Sequence, residues 1–293
     1  MEKNLDITEK DTREPLPTDK IKDYWENFGS VYSKNTESYT FLTGKTEFEK
    51  CLSYIGKPDN LNLYELASGS GYLAEFIVKN YISRFNELRF VDLSHFMVEK
   101  TKERLKPYIE KKDSHIVVEE RSCEDFNNIQ NEYYDIILGN LVIHIVENPD
   151  NVFSGIKKSL KNDGHLFLSY LDSLKNSNFF LKYQEILNKY NLSNQNSRSI
   201  FYFAQENMIE TFAKKYGFRI IEESSYNIVL NKEGNDVFQM YYDMIITNKF
   251  EDKIDATAYK KFIEDVKNMV EQCNKEGIDL NTRIINKHLV KEK

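Results

Sequence analysis

Residues 61–77 read LNLYELASGSGYLAEFI. An apolar run, Leu61–Leu66, carries one acid near its end, Glu65. Five small residues follow, Ala67-Ser68-Gly69-Ser70-Gly71, and a new apolar pattern starts at Tyr72. The stretch predicts a strand, a tight turn and a helix. Glycine lets the backbone turn sharply and lets a ligand come close to it. Free N–H groups at a helix start favour negative groups, and Glu65 suits a cationic one. Gly69-x-Gly71-x-x-Ala74 also satisfies the looser dinucleotide fingerprint.

Working outward, RFVDLSHFMVEK (89–100) ends a second strand on Asp92. In nucleotide-binding α/β domains an acid about 20 residues past the glycine turn hydrogen-bonds ribose hydroxyls. The two elements together predict an adenosine-bearing ligand without saying which one.

The rhythm continues. Strands are expected at Leu88–Val91, His115–Glu119, Tyr134–Leu138, His165–Tyr170 and Phe218–Glu222, and a last one within Val237–Thr247. Helices are expected at Tyr72–Val78, at Ser94–Leu105 ending before Pro107, at Asn151–Leu160, and at Gln205–Tyr216 closed by Gly217. This alternation predicts an α/β fold: a seven-stranded, mostly parallel Rossmann-like sheet with helices on both faces. Residues 1–18 are polar, carry Pro15 and Pro17, and are read as a disordered arm. Residues 19–58 are read as an N-terminal helical cap, with helices at Lys20–Phe28 and Thr46–Ile55 and a linking segment between. Residues 59–250 form the ligand-binding domain, with an insertion at 172–203 after the fifth strand. Residues 251–293 are read as a helical extension, since Tyr259, Phe262, Ile263, Val266, Met269, Val270 and Cys273 recur at helical steps. No internal repeat is present.

The bulk composition removes several function classes. The 293 residues carry 40 basic and 47 acidic side chains, a net charge of −7, whereas a duplex-binding domain is usually basic. No apolar run is long enough to cross a bilayer, and the N-terminus lacks a signal-peptide core. Cys51, Cys123 and Cys273 show neither metal nor redox spacing, which fits a reduced cytoplasmic compartment. No Asp-Asp-Asn or histidine cluster has metal-ligand spacing, so no metal is expected.

The ordered motifs resemble the class I S-adenosylmethionine-dependent methyltransferases, in particular the ubiquinone-biosynthesis-like small-molecule enzymes. ELASGSGYLA (65–74) is similar to the family's first motif and VDLSHFM (91–97) to its second. RSCEDF (121–126) stands where the family has its adenine-contacting segment. Residues 133–171 resemble its fourth and fifth strands with the helix between them. FAQENMIETFAKKYGFRIIEE (203–223) resembles its final helix and Gly-Phe strand start. The resemblance spans about Leu61–Glu222. It departs at Ala67, where the family usually has glycine, at Ser122, where an aspartate is usual, and at Asn162-Asp163-Gly164 in place of Pro-Gly-Gly.

The resemblance implies methyl transfer from S-adenosyl-L-methionine to a small molecule. It implies a cofactor site of Glu65, Ala67, Gly69, Gly71, Asp92, Leu93, Met97, Cys123, Glu124, Asp125 and Asn140. His144, just after the fourth strand, is the candidate general base or acceptor contact, and equally reads as a packed structural histidine. Tyr24, Trp25, Phe28 and Tyr32 suit a lid over the site, or plain packing. Tyr170, Phe201 and Tyr202, with Phe179 and Phe180, are candidates for the substrate side. Two other readings stay open: a non-catalytic methyltransferase-like binding or regulatory protein, and a nicotinamide-dependent oxidoreductase. The second rests on the glycine fingerprint and Asp92 alone, because the Tyr108/Lys112 pair falls in the wrong part of the chain for reductase catalysis. Nucleic-acid amino methylation is disfavoured, since GNLV (139–142) stands where an Asn/Asp-Pro-Pro-aromatic signature would be.

Overall fold

The computed structural model describes residues 11–292 except 36, 57, 112–114, 194–196 and 233–235. Seven strands form one sheet: β1 (Leu61–Glu65), β2 (Phe85–Asp92), β3 (Ile116–Glu120), β4 (Tyr134–Gly139), β5 (Leu160–Leu171), β6 (Phe218–Val229) and β7 (Asn281–Lys291). Their order is β3-β2-β1-β4-β5-β7-β6. β1 pairs in parallel with β2 and β4, β2 with β3, and β4 with β5. β7 runs antiparallel to β5. Lys291 Nζ reaches the Leu160 carbonyl, His288 meets His165, and the Asp172 N–H donates to the Arg283 carbonyl. The expected mostly parallel α/β sheet is what the chain forms. All five residues of β1 are buried, as a strand covered on both faces requires.

The chain divides into two compact units. One comprises, of the described residues, 15–170, 206–224 and 285–292. It holds α1 (Thr18–Asn35), α2 (Glu37–Ile55), α3 (Tyr72–Tyr81), α4 (His95–Ile109), α5 (Pro149–Ser159) and α7 (Met208–Tyr216). Its core joins Phe48, Cys51 and Leu52 of α2 to Leu63, Ile77, Leu88 and Phe90. Phe48 and Cys51 are wholly buried, so α2 is part of the core and not a detachable cap. The other unit comprises, of the described residues, 11–14, 171–205 and 225–284, with α6 (Asn178–Lys189), α8 (Val237–Thr247) and α9 (Ala256–Glu276). There Tyr241 stacks on Phe179 at 4.4 Å and donates its hydroxyl to the Phe179 carbonyl. Residues 172–203 are therefore not a solitary insertion, because they fold together with 225–284.

Several expected elements differ. VFQMYYDMIIT (237–247) is α8 and not a strand. Its β-branched and aromatic content suggested a strand, but Val237, Met240, Tyr241 and Ile245 are buried at helical steps, and Asp236 caps the helix by accepting the Gln239 N–H. The last strand is β7 instead, inside the tail expected to be only helical. Its polar side chains hid it. Lys287 is buried against Glu210 and Glu223, and His288 against His165. The linking segment between the first two helices is itself largely helical, and α4 continues through Pro107. A proline this close to a helix end removes only one late hydrogen bond. Of the arm read as disordered, residues 1–10 lie outside the described residues. Residues 11–17 are held in place: Asp11 accepts from Ser199 and Arg13, and the Glu14 carbonyl accepts from Arg198.

Candidate active site

The C-terminal ends of β1, β2 and β4 open onto one cavity of about 700 Å³, counted with its mouth. Ala67 and Gly69 of the glycine turn line it, with Asp92 and Leu93 at the end of β2 and Met97 on α4. Ser122, Cys123 and Glu124 form one further edge, and Asn140 to Val142 with Ile145 and Val146 form an apolar wall after β4. Thr18, Ile21, Trp25 and Tyr32 cover it from α1. Their spacing of three, four and seven residues puts them on one helical face.

The turn is built by α4 and β2. Ala67, Gly69 and Gly71 all have positive φ, at 53°, 57° and 85°. Asp92 Oδ2 accepts the Gly69 N–H at 2.9 Å, and Oδ1 accepts the Ser94 N–H at 3.0 Å. Thr101 Oγ1 donates to the Gly69 carbonyl, and Arg104 to the Ser70 carbonyl while its guanidinium lies over Tyr72. A Cβ on Gly71 would stand 2.8 Å from Thr101 Oγ1. Gly71 is thus required by helix packing, and it is not among the lining residues.

Other candidates have duties of their own. Asn140 lines the cavity, donates to the Thr40 carbonyl and accepts from Ser169 Oγ. Glu124 accepts the N–H groups of Glu147 and Asn148. Burial pushes the Cys123 thiol well up, so it is an apolar wall and not a nucleophile. Asp125 is turned to Asn127 and Arg121, and Glu65, 2% exposed, is buried at the end of β1. Neither is among the lining residues. His144 is also set back, between Val142 and Ile145, which do line the cavity. It is 8% exposed, and burial lowers its pKa to about 4. Its Nδ1 has no hydrogen-bond partner among the described residues.

Of the aromatic lid candidates, Trp25 and Tyr32 line the cavity and meet edge-to-face at 5.1 Å. Tyr24 and Phe28 pack beside them, and burial raises the Tyr24 phenol to about 12. Tyr170 is buried at the end of β5, away from the lining. Phe179, Phe180, Phe201 and Tyr202 belong to the other unit. Phe180 meets Phe179 at 5.1 Å and Phe201 at 5.6 Å, and Arg198 lies over Tyr202. Sequence reasoning missed Thr18, Ile21 and the wall Leu141–Val146. The signal for the wall was LVIHIV directly after a strand end. Leu141 has φ 54°, a strained value for a bulky residue and typical of functional loops.

The charge of the cavity favours a ligand with a cationic group. Among the described residues, two carboxylates, Asp92 and Glu124, line it, and no Lys, Arg or His does. The amides of Leu66, Ser68, Gly69 and Gly71 already donate within the protein. A dinucleotide pyrophosphate needs such amides free, and would face like charges costing about 4 kcal/mol at 4 Å and an effective dielectric of 20. A sulfonium with ribose hydroxyls fits an acidic wall, since carboxylates attract a cation and accept hydrogen bonds from hydroxyls.

Residues 64–166 match the family model described as a methyltransferase domain. That segment is a methyltransferase domain, with S-adenosylmethionine as its cofactor. This methyltransferase is similar in fold to a Galdieria sulphuraria protein assigned as a sarcosine dimethylglycine methyltransferase, at 12% identity and TM-score 0.53, covering 85% of each chain. It is also similar to Haemonchus contortus phosphoethanolamine N-methyltransferase 2, at 17% identity and TM-score 0.50, covering 95% of this chain and 61% of that one. The [4+2]-cyclase SpnF matches at 9% identity and TM-score 0.57, over 96% and 99%. Identities this low speak for the fold alone, and the cyclase shows that one fold carries different chemistries. No curated protein matches the methyltransferase significantly in sequence. Among the described residues, no helix is long and apolar enough to cross a membrane, and no group of three His, Cys, Asp or Glu could hold a metal ion.

Proposed function

We propose that this methyltransferase transfers the methyl group of S-adenosylmethionine to a small-molecule acceptor. The observation that carries the reading is the cavity itself: acidic, without a lining cation, its turn amides internally satisfied, and covered by α1. The Haemonchus enzyme was captured with phosphomonomethylethanolamine and S-adenosylhomocysteine, and a small acceptor of that scale suits a covered pocket here.

When bound, S-adenosylmethionine supplies a methyl group on a cationic sulfur that departs neutral. Asp92 is the residue to hold the ribose hydroxyls, with Glu124 and Ser122 at the base edge and Leu93 and Met97 as apolar walls. Trp25 and Tyr32 exclude water from the reacting end, and that alignment is the main source of rate for such a displacement. His144 is the candidate acceptor contact. Its depressed pKa keeps it neutral at pH 7, and because it is set back from the lining, contact with an acceptor requires the Leu141–Val146 segment to turn it toward the cavity.

Two measurements test the reading. Calorimetry should show S-adenosylhomocysteine binding and no NADH binding. Cell extract incubated with methyl-labelled S-adenosylmethionine should yield a labelled small product by mass spectrometry. Label appearing only in protein or nucleic acid would reject the small-molecule acceptor.

A further inference from the structure

A chain of hydrogen bonds runs from the cavity wall to the start of α1. The Glu124 carboxylate accepts the N–H of Glu147 at 2.8 Å and of Asn148 at 2.9 Å. Glu147 Oε2 in turn accepts both the N–H and the hydroxyl of Thr18, each at 2.6 Å. Glu124 and Thr18 line the cavity, but Glu147 does not. Cofactor contact therefore does not explain where the Glu147 carboxylate is placed.

The middle of α1 has its own ties. Lys22 pairs with Glu120, and Glu26 accepts the N–H groups of His95 and Phe96 at the start of α4. The first turn of α1, with Thr18 and Ile21 on the cavity, is the part that Glu147 holds. Its backbone is itself clamped by Glu124, so a ligand that draws on Glu124 shifts the clamp.

We infer that Glu147 is a positioning residue that latches the first turn of α1 over the cofactor cavity and links that latch to Glu124. The inference rests on the cofactor reading of the cavity. A carboxylate that only capped α1 would stabilise the helix without governing ligand release, and release kinetics separate the two.

The probe is S-adenosylhomocysteine, released from the full-length chain and followed by Trp25 emission in stopped flow. E147A should release it about tenfold faster. E147Q keeps an acceptor oxygen for Thr18 and should recover most of the wild-type rate. T18V alone should accelerate release less, and adding it to E147A should change nothing further, because both act on one contact. Wild-type release from E147A, or additive effects of T18V and E147A, would overturn the latch. Should E147A fail to fold, T18V carries the test: its release at the wild-type rate overturns the latch. Absence of S-adenosylhomocysteine binding to the wild type would instead reject the cavity reading.

Discussion

Asp92 and Gly69 are joined at 2.9 Å by a carboxylate oxygen accepting a backbone N–H. The bond ties the end of β2 to the turn after β1, and the other oxygen holds Ser94 at the head of α4. Asp92 is 8% exposed and still lines the cavity. One side chain therefore shapes the turn and faces the cavity.

D92A should lower stability and cofactor affinity together. It leaves two amides without acceptors, at about 1–3 kcal/mol for each buried group. S-adenosylhomocysteine affinity by calorimetry should fall at least about tenfold. Wild-type affinity in a folded D92A protein would remove Asp92 from the site.

Two glycines separate backbone strain from collision. Gly56 has φ 82° with open space around its missing Cβ, and Gly71 has φ 85° with Thr101 at 2.8 Å. G56A should cost about 1–2 kcal/mol, the left-handed penalty alone. G71A should cost about 1 kcal/mol or more beyond that, as overpacking does. Urea denaturation of both variants checks the order, and equal losses would show that α4 yields freely.

Acid should weaken the fold through its buried histidines. Burial holds His144 at about 4 and His288 at about 3, and lowers His165 as well. Unfolded histidine titrates near 6.5, so the unfolded chain takes up protons first as pH falls. The stabilisation is complete above about 6.5 and is lost as pH drops toward the folded values. By pH 5 each of His144 and His288 gives up on the order of 2 kcal/mol. Denaturant midpoints at pH 7 and pH 5 measure it. No loss over this range, where the carboxylates stay ionised, would contradict the buried neutral state.

Trp25 reports on the covering helix. It is the only tryptophan, it lines the cavity, and it touches Tyr32. Its emission should shift when S-adenosylhomocysteine binds, and a silent titration at saturating ligand would argue that α1 is only packing. Truncation must stop before α2, since Phe48 and Cys51 are core. Removing residues 1–35 should abolish turnover in a protein that stays folded.

Much of the sheet was legible because β1, β2, β4 and β5 are apolar runs broken by turn residues, and the glycine turn with Asp92 marks the ligand end. The last strand was not legible. Asn286, Lys287, His288 and Lys291 are polar by sequence and buried in the structure. Lys287 and Lys291 depend on partners far along the chain, at Glu210, Glu223 and the Leu160 carbonyl. α8 failed in the opposite sense, since an apolar run rich in β-branched and aromatic residues suits either element until its neighbours are known.

The sequence by itself determined the α/β alternation, the glycine turn and the acid that faces it. Local spacing and backbone freedom set these features, and the glycine turn and Asp92 lie within about thirty residues of one another. Tertiary structure decided which of the candidates share one cavity. Ala67, Asp92, Cys123, Asn140 and Trp25 come together there, while Gly71 and Asp125 turn to packing and turn geometry. It also supplied the latch, because Thr18 and Glu147 are 129 positions apart. A hydrogen bond between such residues depends on where two elements dock, and no local pattern encodes that distance.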